Sequence, residues 1–459
     1  MAPGAMKRTA SPTRAISPPP IRRKVESSIN ITWRVLDKGL VIGKHSPEST
    51  STTLPSKDRK VAAFDLVSLF LSRSIYEGES ERKNNLANLS SRVKKDGTLI
   101  KTKSGNKFAK GPEDWKWWDT GVPRKVRELS SEGFQIVLFS NQSKISLKKE
   151  KGADSKSLSN FKEKLTAIMT QLDLPMSVYA STEATEYRKP RPGMWAEFRD
   201  DYDLDVVGVD MSNSVYVGDA AGRPGDFAAT DHGFAANVGI SFKTPEEFFL
   251  GQDPVEASGL FDPKEYIETQ PETEFKRKHA LELVLFCGSP GSGKSTFYWN
   301  NLEPLGYERV NQDILKTRQK CLKVAREYLE AKKSVVVVPL GCLTRHPIAH
   351  AYPLNPDNTN ANQETREYWT ALAKELSVPV RVIHFLSPPE LCKHNATVRA
   401  ANKILNPESR ASLPGIAFAD YKRRYQEPTL DEGFEDIHPV PFRFVGDEEA
   451  KRIWGQYWV

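Results

Sequence analysis

Three short apolar runs in the first half of the chain each end in polar residues. The runs are VAAFDL (residues 61–66), FQIVLFSN (134–141) and NSVYVGDA (213–220). Apolar runs of this length are typical of strands that are buried in a parallel sheet, where functional sites lie at the carboxyl edge. Because helix-like segments separate these runs, residues 58–250 are predicted to form one α/β domain with a site beyond its strand ends.

A second series of apolar runs begins near residue 281 with LELVLFCG and continues with KSVVVV (333–338) and VRVIHFL (380–386). The preceding residues 251–278 are acidic, contain proline and lack a regular apolar period, which is typical of a linker. The pattern therefore predicts two α/β domains in series, both with mainly parallel sheets, the second at residues 279–459.

Composition and charge add a basic tail and exclude several classes of protein. Residues 1–60 contain 12 of the 66 Lys and Arg residues but only 4 acidic residues. Residues 1–57 are predicted to be a disordered basic tail and lead-in, whose KR and IRRK stretches fit a nuclear address, a nucleic-acid tether or an ordinary solvated tail. No apolar run approaches the roughly 20 residues that span a bilayer. The four cysteines lack Cys-x-x-Cys spacing, so neither a membrane span nor a zinc site is expected.

The run LELVLFCG leads directly into the glycine-rich stretch SPGSGKST. Such a loop lets backbone N–H groups surround phosphate oxygens, and the helix that follows adds partial positive charge. Its lysine would reach the terminal phosphates of ATP, and the following serine hydroxyl would bind Mg²⁺. The predicted strand before it and helix after it favour this interpretation over a simple glycine-rich turn. The predicted nucleotide-binding residues are Gly288, Gly291, Gly293, Lys294, Ser295 and Thr296, with Ser295 also a metal ligand.

A hydroxyl group that accepts a phosphoryl group needs a base to take its proton. The stretch YERVNQD, placed where a second strand would end, finishes at Asp313, which is the candidate base; an ordinary surface acid is the alternative. Further on, HNATVRAANK places Arg399 and Lys403 four residues apart on a predicted lid helix. Arg399 is the candidate for neutralising transition-state charge, and a solvated helix face is the alternative there.

The first domain carries a different set of residues that handle phosphate. In phosphoaspartyl chemistry one carboxylate attacks phosphorus, and a second protonates the leaving oxygen and then activates water. A hydroxyl and an amide hold the phosphoryl oxygens, a lysine offsets their charge, and a further aspartate binds Mg²⁺ together with the nucleophile. Residues of these types follow the predicted strands in order. Asp65 is the candidate nucleophile, and Asp96 is the candidate acid and base. Ser140 and Asn141 are expected to hold the phosphoryl oxygens, Lys189 to offset their charge, and Asp219 to bind Mg²⁺.

Residues 61–440 resemble the family of bifunctional polynucleotide kinase 3′-phosphatases in both catalytic halves and in their order. The stretches VYVGDAAGRP, TPEEFF, VNQD, DNTN and PTLDEGF carry this resemblance. It implies a haloacid-dehalogenase-like phosphatase followed by a P-loop kinase, in a nuclear monomer that processes DNA strand-break ends with Mg²⁺ and ATP. The forkhead-associated domain of animal members is not expected in residues 1–60. The alternatives are a small-molecule kinase and phosphatase fusion, and a non-catalytic or kinase-only protein that binds nucleic-acid ends.

Residues 67–95 separate Asp65 from Asp96, whereas the family motif is an unbroken Asp-x-Asp-Gly-Thr turn. Both carboxylates have to reach one phosphorus, so we expect this insert to weaken or abolish phosphatase activity of the full chain. Its first and last residues are compatible with splice-site codons, which favours a translated intron over a family-specific loop. Residues 339–356 interrupt the second domain and are either a second translated intron or a surface loop.

Overall fold

The computed structural model describes most of the two predicted domains. The described residues are 31–47, 58–66, 97–106, 109–149, 152–255, 257, 261–267, 274–311, 315, 317–338, 360–402, 405 and 413–459. The predictions that lie outside them concern residues 1–30, the inserts 67–95 and 339–356, and the side chains of Asp96, Asp313 and Lys403.

The first domain is built on one large sheet. Its strands and those of a small separate hairpin are β1 (Ile31–Leu36), β2 (Leu40–His45), β3 (Val61–Phe64), β4 (Ile100–Lys101), β5 (Lys116–Trp117), β6 (Gln135–Asn141), β7 (Met176–Ser181), β8 (Val215–Val217) and β9 (Ser241–Lys243). The large sheet has the order β1-β2-β7-β6-β3-β8-β9, and β4 pairs with β5. In this sheet the adjacent strands β7, β6, β3, β8 and β9 are parallel to one another. Strand β2 is antiparallel to both β1 and β7.

The β1–β2 hairpin lies inside the segment that was predicted to be a disordered lead-in, and that prediction was wrong for residues 31–45. Leu40 and Val41 are completely buried, and β2 pairs with β7 along its whole length. Arg34 Nη2 donates to Asp201 Oδ1 at 2.8 Å and fastens the outer strand to a helix. The basic residues interspersed in this edge hairpin obscured its apolar pattern.

Helices pack on both faces of the large sheet. An apolar core lies on each face, and alternate residues of β3 contribute to the two. Ala62 and Phe64 belong to one apolar cluster, and Val61 and Ala63 belong to the other. This alternation is that of a central strand buried on both faces. The helices are α1 (Val122–Ser131), α2 (Lys156–Leu172), α3 (Gly193–Asp201), α4 (Leu204–Val207), α5 (Thr230–Val238) and α6 (Pro245–Leu250).

The second domain has a fully parallel sheet of the strands β10 (Leu283–Cys287), β11 (Glu308–Asn311), β12 (Val335–Val338), β13 (Val380–Phe385) and β14 (Asp436–Val440). Its order is β11-β12-β10-β13-β14. The helices are α7 (Lys294–Phe297), which continues as a π-helix (Tyr298–Leu302), α8 (Arg318–Glu330), α9 (Gln363–Glu375), α10 (Pro389–Ala401), α11 (Gly415–Arg424) and α12 (Glu448–Trp454). The prediction of two α/β domains with mainly parallel sheets is confirmed. Within the described segments, every helix falls short of the length and apolarity needed to cross a membrane.

Part of the predicted linker belongs to the second domain. Phe275 is 5% exposed in a cluster with residues of β10 and β13. Phe261 stacks on Tyr266 with ring centres 5.6 Å apart, and both pack against the cluster around Trp454. A 3₁₀ turn at Pro263–Tyr266 orders this stretch. The segment 251–278 is therefore a linker over less of its length than the sequence predicted.

Candidate active sites

Three strand ends and one loop bring together those predicted phosphatase residues that the structure describes. Asp65 follows β3, Ser140 and Asn141 end β6, and Asp219 follows β8. Because β6, β3 and β8 are parallel neighbours, their carboxyl ends lie side by side. The loop after β7 supplies Lys189, whose side chain is almost completely buried.

The Lys189 ammonium connects the acidic groups of this site. Its Nζ lies 2.8 Å from Asp65 Oδ1, 2.7 Å from Asp231 Oδ1 and 2.7 Å from the Tyr216 hydroxyl. The Phe139 carbonyl accepts from the same nitrogen at 2.8 Å. A buried ammonium with this many oxygen partners is held in one place and keeps its charge beside the predicted nucleophile.

Asp231 was missed by the sequence analysis. It lies in the first turn of α5 and is 1% exposed. Its Oδ1 accepts from Lys189 and from the Tyr216 hydroxyl, and its Oδ2 accepts from the Ala220 backbone N–H at 3.0 Å. Asp231 is therefore a counter-ion that holds Lys189. Its only sequence signal was an acidic residue at a helix start, shortly after the Gly-Asp stretch that contains Asp219.

Mutual repulsion and burial shift the ionisation of these groups. Burial raises the pKa of Asp65, and the Lys189 ammonium opposes this rise. Burial also raises the pKa of Asp219, and the charges of Asp65 and Asp231 raise it further. Burial by itself lowers the pKa of Lys189, but Asp231 and Asp65 outweigh it, so the net shift is upward. Three carboxyl groups face one ammonium, and a bound cation would relieve this imbalance.

The donor set fits a divalent cation. One oxygen from each of Asp65, Asp219 and Asp231 lies within 4.8 Å of the others. Among the described residues, Asp65 Oδ2 is buried and has no hydrogen-bond partner. Mg²⁺ prefers carboxylate oxygens, and it would satisfy an oxygen that no donor reaches. The residues present therefore fit Mg²⁺, with Asp65 and Asp219 as the predicted ligands.

Both flanks of the insert 67–95 reach this site. The Gly97 backbone N–H donates to Asp219 Oδ2 at 3.0 Å, and the Thr98 hydroxyl donates to Asp219 Oδ1 at 3.1 Å. The Leu66 carbonyl accepts from the Ile100 backbone N–H at 3.4 Å. The residues on either side of the insert are thus already joined by hydrogen bonds at the carboxyl edge of the sheet.

The structure gives the Asn141 side chain a positioning role, and its predicted contact with phosphate stays a prediction. Its Nδ2 donates to the Lys189 carbonyl at 3.2 Å, and its Oδ1 accepts from the Lys189 backbone N–H at 2.9 Å. The amide therefore holds the loop that carries the lysine. Ser140 is fully buried and accepts from Gln142 Nε2 at 2.9 Å, which leaves its hydroxyl hydrogen for a phosphoryl oxygen.

The glycine-rich loop of the second domain lies between β10 and α7. Gly291 and Gly293 have φ angles of 82° and 92°, in the left-handed region that glycine adopts without strain. A Cβ atom at Gly291 would lie 2.2 Å from the Cys392 carbonyl oxygen, and one at Gly288 would lie 2.7 Å from Phe385 Cβ. Backbone conformation and close packing therefore both require glycine in this loop.

The predicted phosphate and metal ligands of the loop make hydrogen bonds within the site. Lys294 Nζ donates to the carbonyls of Gly288 and Ser289 at 2.9 and 2.7 Å. Ser295 Oγ accepts from Arg309 Nη2 at 3.1 Å. Arg309 lies on β11 and was missed, although it belongs to the same stretch as the candidate base. The loop is thus ordered by partners that phosphate oxygens and a cation would replace.

A cavity of about 220 Å³ opens beside this loop. It extends from the loop towards α10 and the residues after β14, so it can take the nucleoside part of a nucleotide whose phosphates lie on the loop. The lining includes Gly291, Gly293, Thr296, Arg399, Phe442 and Trp454. Arg399 and Thr296 both line this cavity, whereas Asp313 and Lys403 lie outside the described residues.

The comparison with protein families assigns a class to each domain. Residues 94–249 match the family described as polynucleotide kinase 3 phosphatase, and residues 283–428 match the family described as AAA domain. The first match begins at the end of the insert, so Asp65 lies outside it. Together with the two sites, these matches define a haloacid-dehalogenase-like phosphatase domain followed by a P-loop kinase domain, which confirms the predicted fold class.

Similar proteins combine the same two domains. A bifunctional polynucleotide phosphatase/kinase of Schizosaccharomyces pombe is 41% identical over 367 residues, which cover 79% of this chain and 81% of the relative. A protein from Acanthamoeba polyphaga mimivirus, described as "Putative bifunctional polynucleotide phosphatase/kinase", is 33% identical over 386 residues, which cover 76% of this chain and 86% of the relative. This chain belongs to the family of bifunctional polynucleotide phosphatase/kinases.

Proposed function

We propose that this chain is a nuclear, monomeric DNA end-processing enzyme that removes 3′-phosphates and phosphorylates 5′-hydroxyl groups, using Mg²⁺ and ATP. The observation that carries the proposal is that one chain contains both the Lys189-centred carboxylate cluster and a P-loop with its adjoining cavity. The relatives named as bifunctional polynucleotide phosphatase/kinases support a polynucleotide substrate over a small molecule.

In the phosphatase domain, we propose that Asp65 is the nucleophile. Lys189 holds Asp65 Oδ1, fixes the orientation of the carboxylate and favours its ionised form, which nucleophilic attack on phosphorus requires. As the bond from phosphorus to the 3′-oxygen breaks, Asp96 gives a proton to that oxygen, and it later takes a proton from the water that hydrolyses the phosphoaspartyl group. Mg²⁺, held by Asp65 and Asp219, would supply positive charge opposite the phosphoryl oxygens.

In the kinase domain, the loop N–H groups and Lys294 bind the phosphates of ATP. Lys294 Nζ, which now donates to loop carbonyls, would hold phosphate oxygens, and the Ser295 hydroxyl, which now accepts from Arg309, would hold Mg²⁺, whose charge would offset that of the phosphates. Asp313 takes the proton of the 5′-hydroxyl, and Arg399 offsets the charge that develops on the transferred phosphoryl group.

We further propose that residues 67–95 are a translated intron and that their removal raises phosphatase activity. The hydrogen bonds between the two flanks support this, because Ile100 donates to Leu66 and Gly97 donates to Asp219, which joins residues on either side of the insert at the site. Holding a 29-residue loop in one conformation costs roughly 1–2 kcal/mol per residue. We expect the insert to slow proton transfer by Asp96, because Asp65 and Asp96 have to reach one phosphorus together.

One DNA oligonucleotide with a 5′-hydroxyl and a 3′-phosphate tests both activities in the presence of Mg²⁺ and ATP. We expect 5′-phosphorylation by the full chain, and faster 3′-phosphate release by the variant that lacks residues 67–95. Asp65→Asn should abolish the release alone, and Lys294→Met the phosphorylation alone. Unchanged ends in all of these reactions would contradict the proposal, and equal phosphatase rates with and without residues 67–95 would contradict the effect of the insert.

A further inference from the structure

The segment Gly455–Val459, which follows the last helix of the kinase domain, lies against the phosphatase domain. Asn237 of α5 donates from Nδ2 to the Tyr457 carbonyl at 2.8 Å, and its Oδ1 accepts from the Tyr457 backbone N–H at 2.8 Å. The side-chain amide thus binds both backbone groups of one residue. This paired geometry fixes the segment in direction as well as in place.

The same Asn237 amide also holds the loop that carries Lys189. Nδ2 donates to the Pro190 carbonyl at 2.8 Å, so the two donors of one amide serve the loop and the segment. Pro190 follows Lys189 directly and is buried. Because proline has no backbone N–H, this carbonyl is the hydrogen-bonding group by which the loop can be held at that residue.

Aromatic side chains of the segment Gly455–Val459 make further contacts with the phosphatase domain. The Arg191 guanidinium lies 5.6 Å from the centre of the Trp458 ring. Tyr457 meets His232 edge to face, with ring centres 6.3 Å apart. A Cβ atom at Gly233 would lie 3.0 Å from Tyr457 Cβ, so the segment sits close on the first turn of α5. That turn also carries Asp231, the counter-ion of Lys189.

We propose that the segment Gly455–Val459 is a positioning element of the phosphatase site and acts through Asn237 on the Lys189 loop. The loop then has two anchors, Asn141 at the Lys189 backbone and Asn237 at Pro190. Both anchors are needed to keep the ammonium on Asp65 Oδ1. The inference rests on the proposed phosphatase function, and it assigns a phosphatase role to residues that lie outside the matched region 94–249.

The first test compares Asn237→Ala, Asn237→Asp and a chain that ends at Trp454, each with and without residues 67–95. At saturating DNA, Asn237→Ala should slow the release of phosphate about tenfold, the equivalent of one hydrogen bond near 1.4 kcal/mol, with little change in the KM for DNA. Asn237→Asp keeps the acceptor for Tyr457 but loses both donations, so it should resemble Asn237→Ala. Shortening the chain in the Asn237→Ala background should cause no further loss. Kinase activity should be unchanged.

The matched control is Asn213→Ala, because Asn213 bonds Asp210 within its own turn. The control should keep both activities. A contact that is merely structural would lower both activities together with the unfolding midpoint, and that result would overturn the proposal. Phosphatase turnover that stays within twofold of the unsubstituted protein in both Asn237 variants would also overturn it.

A second measurement does not depend on turnover. Hydrogen exchange of residues 186–193 should become faster in the full chain carrying Asn237→Ala and in the chain that ends at Trp454, because the loop loses one of its two anchors. Exchange that stays at the unsubstituted rate overturns the proposal. If the unsubstituted protein releases no 3′-phosphate, the proposed function fails, and exchange at residues 186–193 alone decides this inference.

Discussion

Asn395 of α10 donates from its Nδ2 to the Gly291 carbonyl, 2.9 Å away in the phosphate-binding loop. The Trp454 indole N–H donates to Asn395 Oδ1 at 2.8 Å and so fixes the orientation of the amide. Gly291 also lies so close to the Cys392 carbonyl that the loop has little freedom to move in that direction. Helices α10 and α12 therefore position the loop of the kinase domain.

The first prediction concerns this contact. Replacing Asn395 by alanine should raise the KM for ATP about fivefold, because one hydrogen bond contributes about 1 kcal/mol to the position of the loop. Trp454→Phe, which keeps an aromatic ring next to Phe442 but removes the indole donor, should shift the KM less and in the same direction. Steady-state kinetics at saturating oligonucleotide measure both values. An unchanged KM in the two variants would show that the loop needs no support from these helices.

The second prediction concerns the buried ammonium. Lys189→Met leaves Asp65 and Asp231 buried without a positive partner, so we expect the free energy of unfolding of the first domain to fall by about 3–5 kcal/mol. Phosphatase activity should be lost with it. Lys38→Met is the matched control, because the ion pair between Lys38 and Glu186 is exposed and contributes about 0–1 kcal/mol. Urea unfolding without Mg²⁺ measures both, and equal midpoints in the two variants would contradict the assigned role.

The sequence predicted the groups that follow strands and short motifs. Asp65 and Asp219 could be found because each follows an apolar run that forms a strand, and Lys189 because a lysine was expected between the second and third of these runs. Asp231 and Asn237 could not, because α5 carries them across the strand ends, and which neighbours they contact is decided by tertiary packing.

Two features were not predicted, and both depend on contacts that the local sequence does not show. Asn141 was placed correctly at the end of β6, but its amide is engaged by the Lys189 loop, and a contact between segments 48 residues apart leaves no local pattern. The β1–β2 hairpin was missed because β1 is an edge strand in which only Ile31 is buried, and because Arg34, Lys38 and Lys44 make the hairpin resemble the basic tail before it.

The third prediction separates the cation requirements of the two sites. Asp219→Asn removes a charge from the carboxylate cluster but keeps an oxygen that can accept from Gly97 or Thr98. We expect the Mg²⁺ concentration for half-maximal phosphatase activity to rise about tenfold or more, while the requirement of the kinase stays the same. Titration of both activities with Mg²⁺ checks this. A parallel rise in the two requirements would mean that Asp219 acts on overall folding and not as a ligand.

Asp219→Asn should also leave the domain at least as stable as before. The Asp219 carboxylate is half-buried beside Asp65 and Asp231, and desolvation and these two neighbouring charges raise its pKa, so its charge is unfavourable there in the absence of a cation. Thermal unfolding in the presence of a chelator measures this effect. A lower unfolding midpoint for Asp219→Asn than for the unsubstituted protein, both measured with the chelator, would contradict the electrostatic account of the cluster.

The fourth prediction is an acid sensitivity of the kinase domain that originates at His394. This residue of α10 is completely buried, and its Nε2 donates to the Trp454 carbonyl at 2.8 Å. Its Nδ1 has no hydrogen-bond partner within the described residues. Burial lowers the pKa of His394 to about 4, and the hydrogen bond to Trp454 offsets this only in part.

Since the folded-state pKa lies below the ordinary value of 6.5, the unfolded chain binds the proton first as the pH falls. The contribution of neutral His394 to stability is therefore complete above pH 6.5 and is lost between pH 6.5 and about 4. We expect this group to lower the free energy of unfolding by about 2 kcal/mol at pH 5 relative to pH 7.5. In His394→Gln, which keeps an amide donor for the Trp454 carbonyl but cannot titrate, this part of the pH dependence should disappear. Denaturant unfolding of both proteins at the two pH values measures it, and an identical pH dependence would show that His394 does not set the acid sensitivity of the domain.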